Sequence, residues 1–146
     1  MRDMADQDRS LPGPLRWAVF LLSGVFLLLG ALCLLAPASA ARLYGLETDA
    51  PSALFYIRAI GLRDAALALY LFGLALAGLR RALTIVALGT LIIPAGDMLL
   101  LTVSGTGELV HYLLHAASLL CFAALAWWSS RGAHTTDRPV ISGCGG

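Results

Sequence analysis

The sequence predicts an all-α integral membrane protein built as a four-helix bundle. Three observations predict it. Hydrophobic residues make up 59% of the 146 residues and charged residues 13%, against roughly 45–50% and about 25% in an ordinary soluble domain. The apolar residues gather in four long runs, each close to the roughly 20 residues that a bilayer-spanning helix needs. The later runs are joined by short connections, which make consecutive helices antiparallel neighbours. The length suits one domain.

The first run, "WAVFLLSGVFLLLGALCLLAPA" at 17–38, carries no charge. "ASA" at 38–40 has the small-residue character of a signal cleavage site. A signal peptide's apolar region spans only about 7–15 residues, so this longer run reads as a retained helix. The second span covers about 54–77. The third is "ALTIVALGTLIIPAGDMLLL" at 82–101, and the fourth is "LVHYLLHAASLLCFAALAWW" at 109–128. "GLRR" at 78–81 and "TVSGTGE" at 102–108 are the turns between them. Residues 1–14, with Pro12 and Pro14, and residues 131–146 read as disordered cytoplasmic tails around a membrane domain at 15–130.

Arginine sets the expected orientation. Arg2, Arg9, Arg16, Arg80, Arg81, Arg131 and Arg138 fall on one side of the bundle, and Arg42 falls on the other. Both termini are therefore expected in the cytoplasm, with the protein in the cell membrane. Trp127 and Trp128 then sit at the inner interface, where amphipathic rings concentrate. The spacings Gly61–Ala65 and Gly73–Ala77 allow the second span to approach a neighbour closely.

Ionisable residues at bilayer depth cost roughly 2.5–3.5 kcal/mol each on insertion scales. They persist where they face the bundle interior and find partners. Here they are Arg58, Arg63 and Asp64 on the second span, Asp97 on the third, and His111 and His115 on the fourth. At about 1.5 Å rise per residue, Arg58 and Asp97 lie roughly 6 Å in from the outer end and His115 about 9 Å. Arg63 and Asp64 lie about 14–15 Å in. The outer half of the bundle is thus polar and the inner half almost purely apolar, which points to one polar cavity.

Angular position refines this expectation. Tyr56, Arg63 and Tyr70 are seven apart and share a face, as do His111, His115 and Ser118. Pro94 stands three residues before Asp97, and a proline inside a helix removes a backbone hydrogen bond and bends the chain. Gly96 is expected to add room beside the acid. Asp97 has no charged neighbour in its own span, which makes it the strongest candidate for proton transfer. His115 and Asp64 are the other candidate catalytic groups. Arg63, Arg58, Tyr56 and Tyr70 are candidate substrate-binding groups. The same charges also suit an ion-pair network that holds four helices in register, and Arg58 also suits an interfacial position reached by snorkelling.

Several function classes are disfavoured. "HYLLH" lacks the glutamate of a zinc-protease motif, so a hydrogen-bonded His pair is preferred to a metal site. There is no Gly-rich phosphate loop, no "GXSXG" and no CxxC pair, so no cofactor is expected. Cys33, Cys121 and Cys144 are far apart in sequence and suggest no disulfide framework. The net charge of +1 comes with no basic stripe, so nucleic acid is not an expected partner.

Three segments together carry a family resemblance: "APASAARLYGL" at 36–46, "YIRAIGLRDAALALYLFGLAL" at 56–76, and "PAGDMLLL" at 94–101 followed by a His on the last span. They resemble a family of small four-span membrane proteins known as a domain of unknown function (four-two-six-seven), which looks like a relative of the DoxX-like membrane proteins. The resemblance covers about residues 17–130. It implies a four-helix bundle with Arg63 and Asp64 on the second helix and Asp97 on the third. Some DoxX-like relatives work beside quinone-linked redox enzymes, which implies a lipophilic partner.

Two functional readings stay open at this stage. The first is a membrane enzyme that acts on a lipophilic small molecule by acid–base chemistry, through isomerisation, cyclisation or epoxide opening. The second is a non-enzymatic accessory subunit or lipophile carrier in a redox or biosynthetic complex. A homodimer or a membrane enzyme partner fits either reading.

Overall fold

The computed structural model describes residues 11–46, 48–105 and 107–131, and all regular structure among them is helical. The elements are α1 (Gly13–Leu35), α2 (Pro37–Leu43), α3 (Pro51–Ala77), α4 (Arg80–Thr90), α5 (Ile92–Ser104) and α6 (Leu109–Ser130). Four stretches are long and apolar enough to cross a membrane: α1, α3, α4 with α5, and α6. The expected tails fall mostly at residues 1–10 and 132–146, outside the described residues.

The distribution of side chains is that of a bundle solvated by lipid. Large apolar side chains cover the outside, with Leu28 73%, Ile92 77% and Val103 77% exposed. Ser23, Asp64, Thr90, His111, His115 and Ser129 are buried. In lipid there is little hydrophobic drive between helices, so packing and internal hydrogen bonds hold them together. The chain is thus an all-α, multi-pass membrane protein.

Two helix pairs make up most of the packing: α1 on α3, and α4 with α5 on α6. The first pair is set by glycine. A Cβ on Gly61 would stand 2.7 Å from the Cβ of Cys33 and 2.8 Å from the Gly30 carbonyl oxygen. A Cβ on Gly30 would meet the Gly61 carbonyl oxygen at 2.8 Å. The Gly61–Ala65 spacing therefore serves a close helix contact, with Gly30 opposite. Gly73 serves none, because nothing lies within 4 Å of where its Cβ would sit.

One half of the bundle is closed by an apolar core of Leu15, Val19, Leu67, Leu71, Leu83 and Phe122. Phe26 packs on Phe122 with ring centroids 5.2 Å apart. Below this core lies the arginine-rich end. Arg16 donates to the Leu76 carbonyl at 3.3 Å, at the C-terminus of α3. Arg80 donates to the carbonyls of Ser129 at 2.7 Å and Trp128 at 3.1 Å, at the C-terminus of α6. The last carbonyls of a helix lack intrahelical donors and carry the negative end of its dipole. These arginines satisfy both needs. Thr84 joins the same end by donating to Ser129 Oγ at 2.7 Å.

The third span is two helices. Pro94 has no N–H to offer the Thr90 carbonyl. The chain tightens just before it, where the Leu91 N–H bonds the Leu88 carbonyl at 3.2 Å, a one-turn 3₁₀ closure. Beyond the break, α5 stays against α6 and makes no extensive contact with α1 or α3. The bend therefore leaves space in the half of the bundle away from the arginine-rich end.

The remaining element, α2, lies in the segment read from sequence as the first connection. Pro37 begins it, where a missing N–H costs nothing. Gly45 ends it at φ 81°, a left-handed conformation that glycine reaches without penalty. The Gly45 N–H bonds the Arg42 carbonyl and the Leu46 N–H bonds the Ala41 carbonyl, the paired bonds of a Schellman stop. This stop turns Tyr44 into the bundle.

Candidate functional site

Four elements bring polar groups together in the half of the bundle away from the arginine-rich end. From α3, Asp64 is buried, because its face is the one turned toward α1 and α2. From the end of α2, Tyr44 donates its hydroxyl to Asp64 Oδ2 at 3.4 Å. From α5, Asp97 Oδ2 lies 3.5 Å from Nδ1 of His115 on α6. The rings of Tyr44 and His115 are 6.0 Å apart. Arg63 Nε stands 3.9 Å from Asp64 Oδ1 with half its side chain exposed. Burial first, and then the Asp64 carboxylate, push the Tyr44 phenol above its ordinary range, so it stays a donor near neutral pH.

These side chains sit between two cavities. One, of about 320 Å³, lies between α1 and α6 and is lined by Leu22, Val25, Phe26 and Leu29 on one side and Leu114 and Ser118 on the other. The second, of about 390 Å³, lies between α3 and α5 and is lined by Ile57, Ile60, Leu100 and Leu101. Tyr44, Arg63, Asp97 and His115 line both. Each volume falls in the range of small-molecule sites, about 300–1,000 Å³.

The structure thus gathers Asp64, Asp97, His115 and Arg63 around one locus. Tyr56 and Tyr70 line neither cavity. They are 70% and 62% exposed on the lipid face of α3. Seven-residue spacing does put them in line with Arg63, but that stripe looks outward, and only the long Arg63 side chain reaches round to the cavity wall. Arg58 is also exposed and outside both cavities. Gly96 meets no neighbour within 4 Å, so the room beside Asp97 comes from the bend at Leu91.

His111 has a different task from His115. Its Nδ1 accepts the Glu108 backbone N–H at 3.1 Å, and its Nε2 faces the Arg42 carbonyl at 3.3 Å. A nitrogen that accepts an N–H carries no proton, so Nε2 holds the proton and donates it to Arg42. The ring closes the first turn of α6 and ties it to α2. Both nitrogens are thereby engaged by backbone. Among the described residues, no group of three His, Cys, Asp or Glu side chains gathers to hold a metal ion.

Tyr44 is the site residue that sequence reasoning missed. Its signal was in "ARLYGL", where a glycine follows a short helix-forming stretch and turns the preceding side chain inward.

The profile of a family described as a domain of unknown function (DUF4267) matches residues 23–129. The chain belongs to that family. No curated protein and no solved structure matches it.

Proposed function

We propose that this member of the family binds a lipophilic small molecule within the membrane and isomerises it by moving protons. One observation carries the reading. Two acid–base couples, Asp97–His115 and Tyr44–Asp64, stand in the walls of apolar cavities inside a lipid-covered bundle. Asp97 with His115 takes a proton from the bound molecule. Tyr44 turns its hydroxyl from Asp64 to a polar oxygen of the ligand and donates a hydrogen bond there, and the protonated Asp97–His115 couple returns the proton at another atom. The composition of the molecule and the total charge are unchanged. A double-bond shift, a ring closure or the opening of an epoxide by an internal nucleophile therefore needs no oxidant, reductant or second substrate. Arg63, at the wall common to both cavities, orients a polar group of the ligand. Positioned proton transfer of this kind is worth roughly 10²–10⁴-fold in rate. By the arginine rule the termini face the cytoplasm of the cell, and the couples then lie toward the outer leaflet.

The contact lengths are compatible with a working site that no ligand has yet tightened. Charge-assisted bonds that hold a fold are about 2.7–2.9 Å for nitrogen donors. The two couples here span 3.4 and 3.5 Å, as catalytic pairs often do before a ligand tightens them.

The test is to purify the protein in mild detergent and identify co-purifying small molecules by mass spectrometry, for wild type and a folded Asp97→Asn variant. A defined lipophile retained by wild type and lost or chemically different in the variant is the expected result. Identical extracts from both would assign the charges to packing.

A further inference from the structure

We infer that the two cavities form one passage across the bundle, and that its ligand is a lipophile whose polar group lies between two apolar arms. This rests on the lipophile-binding reading above and narrows it.

The cavities abut, because Tyr44, Arg63, Asp97 and His115 line both. Each also reaches the bundle surface on its own side. Val25 and Leu114, on the walls of the first, are 51% and 43% exposed. Leu100, on the wall of the second, is 67% exposed. In a membrane that surface is covered by acyl chains. A molecule can therefore enter from lipid on either side and meet the same polar partition in the middle.

Away from the partition, both cavities are apolar. Apart from Asp64, the first adds only the hydroxyl of Ser118 and the thiol of Cys121, and the second only the hydroxyl of Ser104. A lipid with its polar group at one end fills one cavity and leaves the other without partner atoms, which forfeits dispersion contacts along that wall. A molecule with a hydroxyl, carbonyl or epoxide in mid-chain fills both and presents the reactive group to the two couples. The partition is also built to part. Its contacts are long, at 3.4, 3.5 and 3.9 Å, and α5 is held from the α4 and α6 side with no extensive contact to α3. A polar group can enter between Asp97–His115 and Tyr44–Asp64 without breaking helix packing.

The test uses the full chain in lipid nanodiscs and two probes. One is a long-chain alcohol with its hydroxyl at mid-chain, and the other is the isomer with its hydroxyl at the chain end. Binding is read by native mass spectrometry in competition. Wild type is expected to prefer the mid-chain isomer by about tenfold, or about 1.4 kcal/mol. Ala117→Trp narrows the first cavity and Ile60→Trp the second. Each is expected to weaken the mid-chain isomer about tenfold, while only one of them weakens the terminal isomer. Ala117→Leu and Ile60→Phe replace any tryptophan variant that does not fold. Equal binding of the isomers, with a single variant weakening both, overturns the passage and leaves a one-chambered lipophile site. Failure of folded wild type to bind either isomer overturns the passage and the lipophile reading together.

Discussion

The two halves of this bundle treat charge in opposite ways. At the arginine-rich end, Arg80 reaches the Ser129 carbonyl at 2.7 Å and Thr84 reaches Ser129 Oγ at 2.7 Å. In the opposite half, Tyr44–Asp64, His115–Asp97 and Arg63–Asp64 stand at 3.4, 3.5 and 3.9 Å. The chain closes helix ends with arginine contacts of 2.7–3.3 Å to backbone carbonyls. It leaves polar contacts long where two cavities meet. A buried acid held this loosely is a poor strut and a good partner for a third group.

The largest effect should come from Asp97→Asn, which keeps shape and removes the acid. Conversion of the co-purified lipophile should fall by roughly 10²–10⁴-fold, followed by product formation in nanodiscs. Thermal stability in the same preparation should change little. A loss of stability with no loss of conversion would erase the distinction between the halves.

Gly61→Leu should be next, because it forces apart the α1–α3 pair on which both halves depend. The new side chain would begin 2.7 Å from the Cβ of Cys33. Overpacking of this kind typically costs about 1–3 kcal/mol, read as a lower unfolding midpoint in denaturing detergent. Gly96→Ala gives the contrasting sign. Nothing lies within 4 Å of its Cβ position, and replacing a helical glycine by alanine gains roughly 0.5–1 kcal/mol.

Arg80→Met probes the tight end alone. It removes both bonds to the C-terminus of α6. A loss of roughly 1–2 kcal/mol is expected, as for charge-assisted bonds that are partly exposed. The amount of retained lipophile per folded molecule should stay at the wild-type level. A variant that unfolds no more easily but loses the lipophile would show that the two halves are coupled.

The spans were legible in the sequence because a bilayer demands long apolar runs. The bend in the third was legible because proline has no N–H. Asp64, Asp97, Arg63 and His115 were legible because ionisable groups at that depth need partners, and the structure supplies them. Tyr44 was not, since it lies outside every span and depends on a left-handed turn at Gly45 to reach Asp64. The task of His111 was hidden for a similar reason. Spacing placed it beside His115, but its ring is taken by the backbone of Glu108 and Arg42. The outward aim of Tyr56 and Tyr70 was hidden by the solvent itself. Lipid is as apolar as the interior, so a stripe's composition does not say which way it looks.

That last point yields the smallest expected effect. Tyr56→Phe and Tyr70→Phe each remove one hydroxyl from a ring that is 70% or 62% exposed on the lipid face of α3. Neither ring lines a cavity. Each variant should stay within about 0.5 kcal/mol of wild type in stability, as surface substitutions usually do, and should retain the same lipophile. Tyr44→Phe is the matched control, because it removes one hydroxyl from the partition between the cavities. It should lower conversion while leaving the unfolding midpoint close to wild type. If Tyr56→Phe or Tyr70→Phe lowered conversion as much as Tyr44→Phe, the working face of α3 would be its outward stripe. The ligand would then ride on the bundle's surface instead of between its helices.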